Sequence, residues 1–184
     1  MKPLSVYIEK QRQRLIAPHL NGRILDLGCG YGALVRLNQP LPENYLGVDQ
    51  LPHVQQWFKH QFPEYHIEIL DLEADTLEVH SRFDTIVMTA CLEHLKNPDH
   101  FFDQIPQLLT SNGKVLITTP TPFGGKIHAF GSKFGFFYPE AAADHEIFYN
   151  RDTLRVLFSL HGLKLVEYSS FMFGGNQLAV GKLS

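Results

Sequence analysis

The sequence predicts an α/β fold with a doubly wound, mostly parallel sheet, and three observations carry that prediction. Short apolar runs alternate with helical stretches; the first run opens into a glycine cluster; and the last two runs have no helix between them. Parallel strands need crossover connections, which the intervening helices supply, whereas two strands joined by a short turn are antiparallel. The 184 residues contain 44% hydrophobic and only 19% charged side chains, so a full core can form without disulfide or metal staples. A chain of this length reads as one domain over 1–184.

The first 20 residues predict a helix, with Leu4, Tyr7, Ile8, Gln11 and Leu15 near one stripe. Pro18 ends it and Asn21-Gly22 turns the chain. RILDLG (23–28) is the first strand, and a helix follows over 31–38. NYLGVD (44–49) is the second strand, and Pro52 suits the first turn of a helix that runs to Gln61. HIEILD (66–71) and FDTIVM (83–88) are strands three and four, with little room for a helix between them. The spacing of Phe101, Phe102, Ile105, Leu108 and Leu109 predicts a helix over 98–110, kinked by Pro106. Ser111-Asn112-Gly113 reads as a turn before strand five, KVLITT (114–119). A helix over 151–162 has Asn150 or Asp152 at its cap and Gly162 just past its end. LKLVEYSSF (163–171) and NQLAVGK (176–182) close the chain as an antiparallel pair.

Charge and cysteine usage exclude several classes of function. The net charge is −3, without the basic excess that phosphate neutralisation demands, so no nucleic acid partner is expected. Cys29 and Cys91 form neither a disulfide framework nor a ligand set, which fits a reducing, cytoplasmic setting. The N-terminal stretch has no apolar segment of a secretory signal, and no run approaches a membrane span. The ten histidines are scattered without metal-ligand spacing, so no metal site is expected.

The sharpest local signal is ILDLGCGYGA (24–33), at a strand-to-helix junction. Gly28, Gly30 and Gly32 allow a tight turn and close backbone approach to a ligand, and the helix start favours an anionic group there. The glycines alone also fit a dinucleotide fingerprint. Asp26 argues otherwise, because a carboxylate beside a pyrophosphate is repelled and beside a cation is favoured. S-adenosylmethionine (SAM), with an ammonium and a sulfonium near one carboxylate, matches both charges. Asp49 closes strand two at the spacing of a ribose-binding acid, Leu51 is placed to cover an adenine face, and Asp71 closes strand three. The three acids are expected to line one crevice.

ILDLGCGYG, YLGVDQ, ILDLEAD, FDTIVMTACLEHLKNPD and LLTSNGKVLITTP together resemble the core motifs of class I SAM-dependent methyltransferases. The nearest resemblance is to the group holding the ubiquinone/menaquinone-biosynthesis and small-molecule O-methyltransferases. It implies a Rossmann-like, seven-stranded sheet with a reversed final hairpin. It also implies cofactor contacts from Asp26, Gly28, Cys29, Gly30 and Gly32 around the methionine part. Asp49 would hold the ribose, Gln50 and Leu51 would flank the adenine, Asp71 and Leu72 would meet its edge, and Thr89 would sit beside the methionine part. In some relatives a residue of the N-terminal helix touches the cofactor, which here makes Tyr7, Arg12 or Arg14 a candidate.

For the chemistry, an oxygen nucleophile needs a base, and His94 and His145 lie after strands four and five where one is wanted. His128 is a weaker candidate. The segment 120–148 is aromatic and glycine-rich, which predicts a lid over a small, partly apolar or aromatic acceptor. Its rings could equally pack on the domain or on a second subunit of a homodimer. The expected activity is methyl transfer to a small molecule, O-methylation first. The alternatives are a SAM-binding protein without turnover and a nicotinamide-dependent reductase.

Overall fold

The computed structural model describes residues 3–78, 81–125 and 147–184. Helix α1 (Pro3–Ile16) leads through a 3-10 turn to β1 (Ile24–Leu27), α2 (Ala33–Asn38), β2 (Tyr45–Asp49) and α3 (Pro52–Gln61). Strands β3 (His66–Ile69) and β4 (Phe83–Thr89) follow, then α4 (Asp99–Phe102), α5 (Ile105–Leu108) and β5 (Leu109–Pro120). Helix α6 (Arg151–Leu160) and the pair β6 (Leu163–Phe171) and β7 (Asn176–Leu183) complete the described elements.

The sheet has seven strands in the order β3-β2-β1-β4-β5-β7-β6. Its first five strands pair in parallel, while β7 runs antiparallel to both β5 and β6. The chain order reverses between β1 and β4, and that switch point opens a crevice at the carboxyl ends of the strands. Alternation along the strands feeds two apolar layers. Leu25, Leu27, Ile86 and Met88 pack toward Phe101, Phe102 and Phe158 of α4 and α6. Ile24, Tyr45 and Val87 pack toward Ile16, Leu34 and Phe58 of α1, α2 and α3. All four β1 residues are buried, as expected of a central parallel strand covered on both faces.

Three local expectations are corrected. The helix after β1 starts at Ala33 rather than residue 31, because Gly32 still holds a left-handed φ of +64°. The helix over 98–110 is two short ones. Pro106 has no N–H for the preceding turn, so the chain restarts with it inside the first turn of α5. Residues 109–113 are strand rather than helix end and turn. Gly113 is buried so close to the chain that an added Cβ would stand 3.0 Å from the Phe83 carbonyl oxygen. At α6 the cap is as expected: Asn150 Oδ1 accepts from the Thr153 N–H at 2.9 Å, and Thr153 Oγ1 accepts from the Asn150 N–H at 2.8 Å.

Candidate cofactor-binding site

The glycine turn is held by backbone conformations that other residues resist. Gly28, Gly30 and Gly32 have φ of +65°, +49° and +64°. Asp49, at the end of β2, fastens this turn to its neighbour strand. Its Oδ2 accepts from the Gly30 N–H and its Oδ1 from the Leu51 N–H, both at 3.0 Å. The Cys29 N–H also donates to the Val48 carbonyl at 3.0 Å. The turn is therefore fixed before any ligand arrives, which lowers the ordering cost of binding.

Beside it lies a cleft of about 230 Å³ lined by Gly28, Asp49, Gln50, Leu51, Leu70, Asp71, Leu72, Glu73, Ala90, Cys91, His94 and Leu95. Three of these are acids, and none is Lys or Arg. Asp71 also shapes its own loop, where its Oδ1 accepts from the Glu73 N–H at 2.9 Å. Ala90, just past β4, holds a left-handed φ of +53°, and its N–H donates to the Thr118 carbonyl at 2.8 Å. A residue with a Cβ costs about 1 kcal/mol or more in that conformation. Leu92–His94 form a 3-10 turn that carries His94 to the cleft wall and turns Glu93 inward. Glu93 Oε2 accepts from Thr119 Oγ1 at 2.9 Å, tying this loop to β5.

Of the residues singled out in the sequence, Gly28, Asp49, Gln50, Leu51, Asp71, Leu72 and His94 share the cleft. Cys29, Gly30, Gly32 and Thr89 lie outside its lining, and of the three acids expected to line one crevice only Asp49 and Asp71 do so. Asp26 is only 2% exposed and stands behind the glycine turn rather than in the cleft. Its Oδ2 accepts from the Tyr45 hydroxyl at 2.9 Å, and its Oδ1 has no partner. Burial pushes the Asp26 carboxyl up to about 7, against the Tyr45 hydrogen bond, with the nearby Asp49 charge adding to the rise. Leu70, Glu73, Ala90, Cys91 and Leu95 were missed. They sit at or just past the ends of β3 and β4, and that position was the available signal.

On α1, Arg12 turns to β7, its Nη2 donating to Asn176 Oδ1 at 2.8 Å, while Tyr7 and Arg14 are exposed. His128 and His145, and most of the 120–148 segment, lie outside the described residues. Among the described residues no three His, Cys, Asp or Glu cluster to hold a metal ion, and no helix is long and apolar enough to cross a membrane.

A reversed final hairpin on a parallel sheet, with a glycine turn clamped by the β2 acid at the switch point, defines the class I methyltransferase fold. The chain belongs to that family: the model for the methyltransferase domain matches residues 4–168, and the cofactor is SAM. A ubiquinone biosynthesis O-methyltransferase of Ruegeria sp. (strain TM1040) is 27% identical over 164 residues, covering 85% of this chain and 66% of that protein. A tRNA U34 carboxymethyltransferase of Alteromonas mediterranea is 28% identical over 117 residues, covering 56% of this chain and 35% of that protein. The chain thus spans about a third of that relative's length. In fold it is similar to the glycopeptide N-methyltransferase MtfA complexed with SAM, at a TM-score of 0.72 and 15% identity over 96% of this chain and 94% of that one. It is likewise similar to a TehB-like SAM-dependent methyltransferase from Corynebacterium glutamicum, at 0.68 and 19% over 94% and 87%.

Proposed function

We propose that this chain transfers the methyl group of SAM to an oxygen atom of a small, partly apolar acceptor. The observation that carries the cofactor side is Asp26: a buried carboxylate with one unpartnered oxygen behind a glycine turn. A buried acceptor without a donor is costly, and a ligand ammonium would satisfy it. The acid-lined cleft, free of Lys and Arg, suits adenosine hydroxyls and an amine and would repel a pyrophosphate. That disfavours the nicotinamide alternative.

In this reading the backbone of Gly28, Cys29, Gly30 and Gly32 surrounds the methionine part, with Asp26 toward its ammonium and Thr89 beside it. Asp49 accepts from the ribose hydroxyls, Gln50 and Leu51 flank the adenine, and Asp71 and Leu72 meet its edge. When bound, the cofactor supplies a methyl on a cationic sulfur, which needs chiefly an aligned nucleophile. His94, on the cleft wall, is the described residue placed to take a hydroxyl proton.

The small-molecule acceptor is supported by the net charge of −3, which opposes polyanion binding. It is also supported by the extent of likeness: the Ruegeria ubiquinone O-methyltransferase aligns over 85% of this chain, the Alteromonas tRNA carboxymethyltransferase over 56%. Calorimetry with S-adenosylhomocysteine, followed by mass spectrometry of methyl transfer to phenolic acceptors and to tRNA, tests the proposal. Binding together with mass gain on a hydroxylated small molecule is expected. No binding at millimolar ligand overturns the cofactor reading, and methylation confined to tRNA overturns the acceptor reading. Binding without transfer to any acceptor leaves a SAM-binding protein without turnover.

A further inference from the structure

We infer that Tyr45 is a positioning residue for the cofactor's amino group: its hydroxyl anchors one oxygen of the buried Asp26 and leaves the other without a partner, for the ammonium to satisfy. The inference rests on the cofactor assignment above. It starts from the register of β1 and β2, which sets Ile24 beside Tyr45 and Asp26 beside Gly47. Side chains two apart share a face, so the Tyr45 ring points along the same face as Asp26, across Gly47. A Cβ on Gly47 would stand 3.0 Å from the Tyr45 hydroxyl and 3.0 Å from Cys29 Sγ. The backbone φ of Gly47 is not left-handed. A glycine is wanted there for room, and the room is what lets the hydroxyl reach Asp26.

The ring cannot swing away. It is stacked on Phe58 at 6.2 Å and 12°, and Tyr65 meets it edge-on at 5.4 Å. The hydroxyl is itself buried, and burial with the Asp26 charge beside it holds its pKa well above the usual range, so it remains a donor. Burial likewise pushes the thiols of Cys29, on the glycine turn, and Cys91, after β4, far up, so both face Asp26 as neutral groups. Asp49 is the remaining charge acting on it. Among the described residues, the Tyr45 hydrogen bond is therefore the contact that favours the ionised form of Asp26. An ammonium at the free oxygen would draw off the remaining proton, so cofactor binding and Asp26 ionisation are linked.

The test compares S-adenosylhomocysteine with 5′-methylthioadenosine, which lacks the amino acid part, by calorimetry on the full chain between about pH 6 and pH 8.5. Tyr45→Phe should weaken S-adenosylhomocysteine at least about tenfold near neutral pH, as expected for one hydrogen bond to a charged group. That loss should shrink toward pH 8.5, and methylthioadenosine affinity should stay unchanged. In an Asp26→Asn background, Tyr45→Phe should add nothing. Equal losses for both ligands, a loss independent of pH, an undiminished loss in the Asp26→Asn background, or no loss at all would each overturn the inference. Failure of the unaltered chain to bind S-adenosylhomocysteine would instead overturn the cofactor reading beneath it.

Discussion

A Cβ on Gly28 would lie 2.6 Å from Cys91 Sγ and 2.9 Å from Cys91 Cβ, because the turn after β1 and the loop after β4 meet at the switch point. Gly28 also holds a φ of +65°. An alanine there meets two separate costs, a left-handed backbone and a steric clash, together about 2–4 kcal/mol. Gly28→Ala should lower the melting temperature and weaken S-adenosylhomocysteine binding at least about tenfold. Adding Cys91→Ala should recover only part of the melting temperature, because the Cβ contact and the backbone strain both persist. Full recovery would show that the backbone conformation costs nothing.

Asp49 accepts from the Gly30 and Leu51 N–H groups, and in the proposed function its remaining lone pairs would take the ribose hydroxyls. Asp49→Ala leaves both donors without that partner and should cost about 1–3 kcal/mol of stability. Asp49→Asn keeps one acceptor but turns an amide toward the second N–H, so it should destabilise less while still weakening nucleoside binding. Thermal melts with and without S-adenosylhomocysteine measure both. Equal behaviour of the two variants would mean that the hydrogen bonds to the turn do not matter.

The strands were legible in the sequence because each is an apolar run bounded by turn residues, and the final hairpin because nothing helical separates its two runs. Residues 109–113 were not, since Ser111-Asn112-Gly113 carries the composition of a turn. Gly113 is there because the Phe83 carbonyl approaches closely, a tertiary fact invisible in local pattern. In the cleft, Asp49 ends β2 as the pattern suggested, whereas Asp71, expected to close strand three, lies two residues past the end of β3, as Leu51 lies past β2. The partner of Asp26 was not: Tyr45 reads as an ordinary strand aromatic until the sheet register lays it across Gly47. Cys91 and Glu73 enter the cleft through the paths of loops, which no periodicity encodes.

Asp26 makes stability depend on pH with a definite sign. Burial, with Asp49 in addition and the Tyr45 hydrogen bond opposed, raises its carboxyl from 3.8 to about 7 in the folded protein. The folded state holds the proton more tightly than the unfolded chain. Its contribution is therefore greatest below about pH 4, falls as pH rises toward about 7, and is flat above that. Asp26→Asn removes a charge that the interior disfavours, so the ligand-free variant should melt higher than the unaltered protein at pH 8. The gap should narrow toward pH 5, and the full effect should not exceed a few kcal/mol. The same variant should gain less from S-adenosylhomocysteine. A gap that is constant from pH 5 to pH 8 would contradict the burial argument.

Arg12 ties the N-terminal helix to the sheet where β7 begins, beside the carboxyl end of β5. Its Nε and Nη2 donate to Asn176 Oδ1 at 3.3 and 2.8 Å, at the buried start of β7. Burial lowers the Arg12 pKa, while Glu93 and Glu9 act to raise it. Two further contacts pin α1 to α2: Arg36 to Glu9 at 3.0 Å and Asn38 to Gln13 at 2.7 Å. Arg12 thus adds a polar link from α1 to β7, where Ile16 also shares an apolar cluster with Leu178 and Val180. Arg12→Met keeps the apolar stem but strands the Asn176 carbonyl, and should cost about 1–3 kcal/mol. Asn176→Ala strands the guanidinium and should cost a similar amount. Because each removes the same pair of hydrogen bonds, the double variant should lose clearly less than the sum, by about 1 kcal/mol or more. Urea unfolding of the four proteins measures the cycle, and strictly additive losses would mean that the two side chains do not support each other.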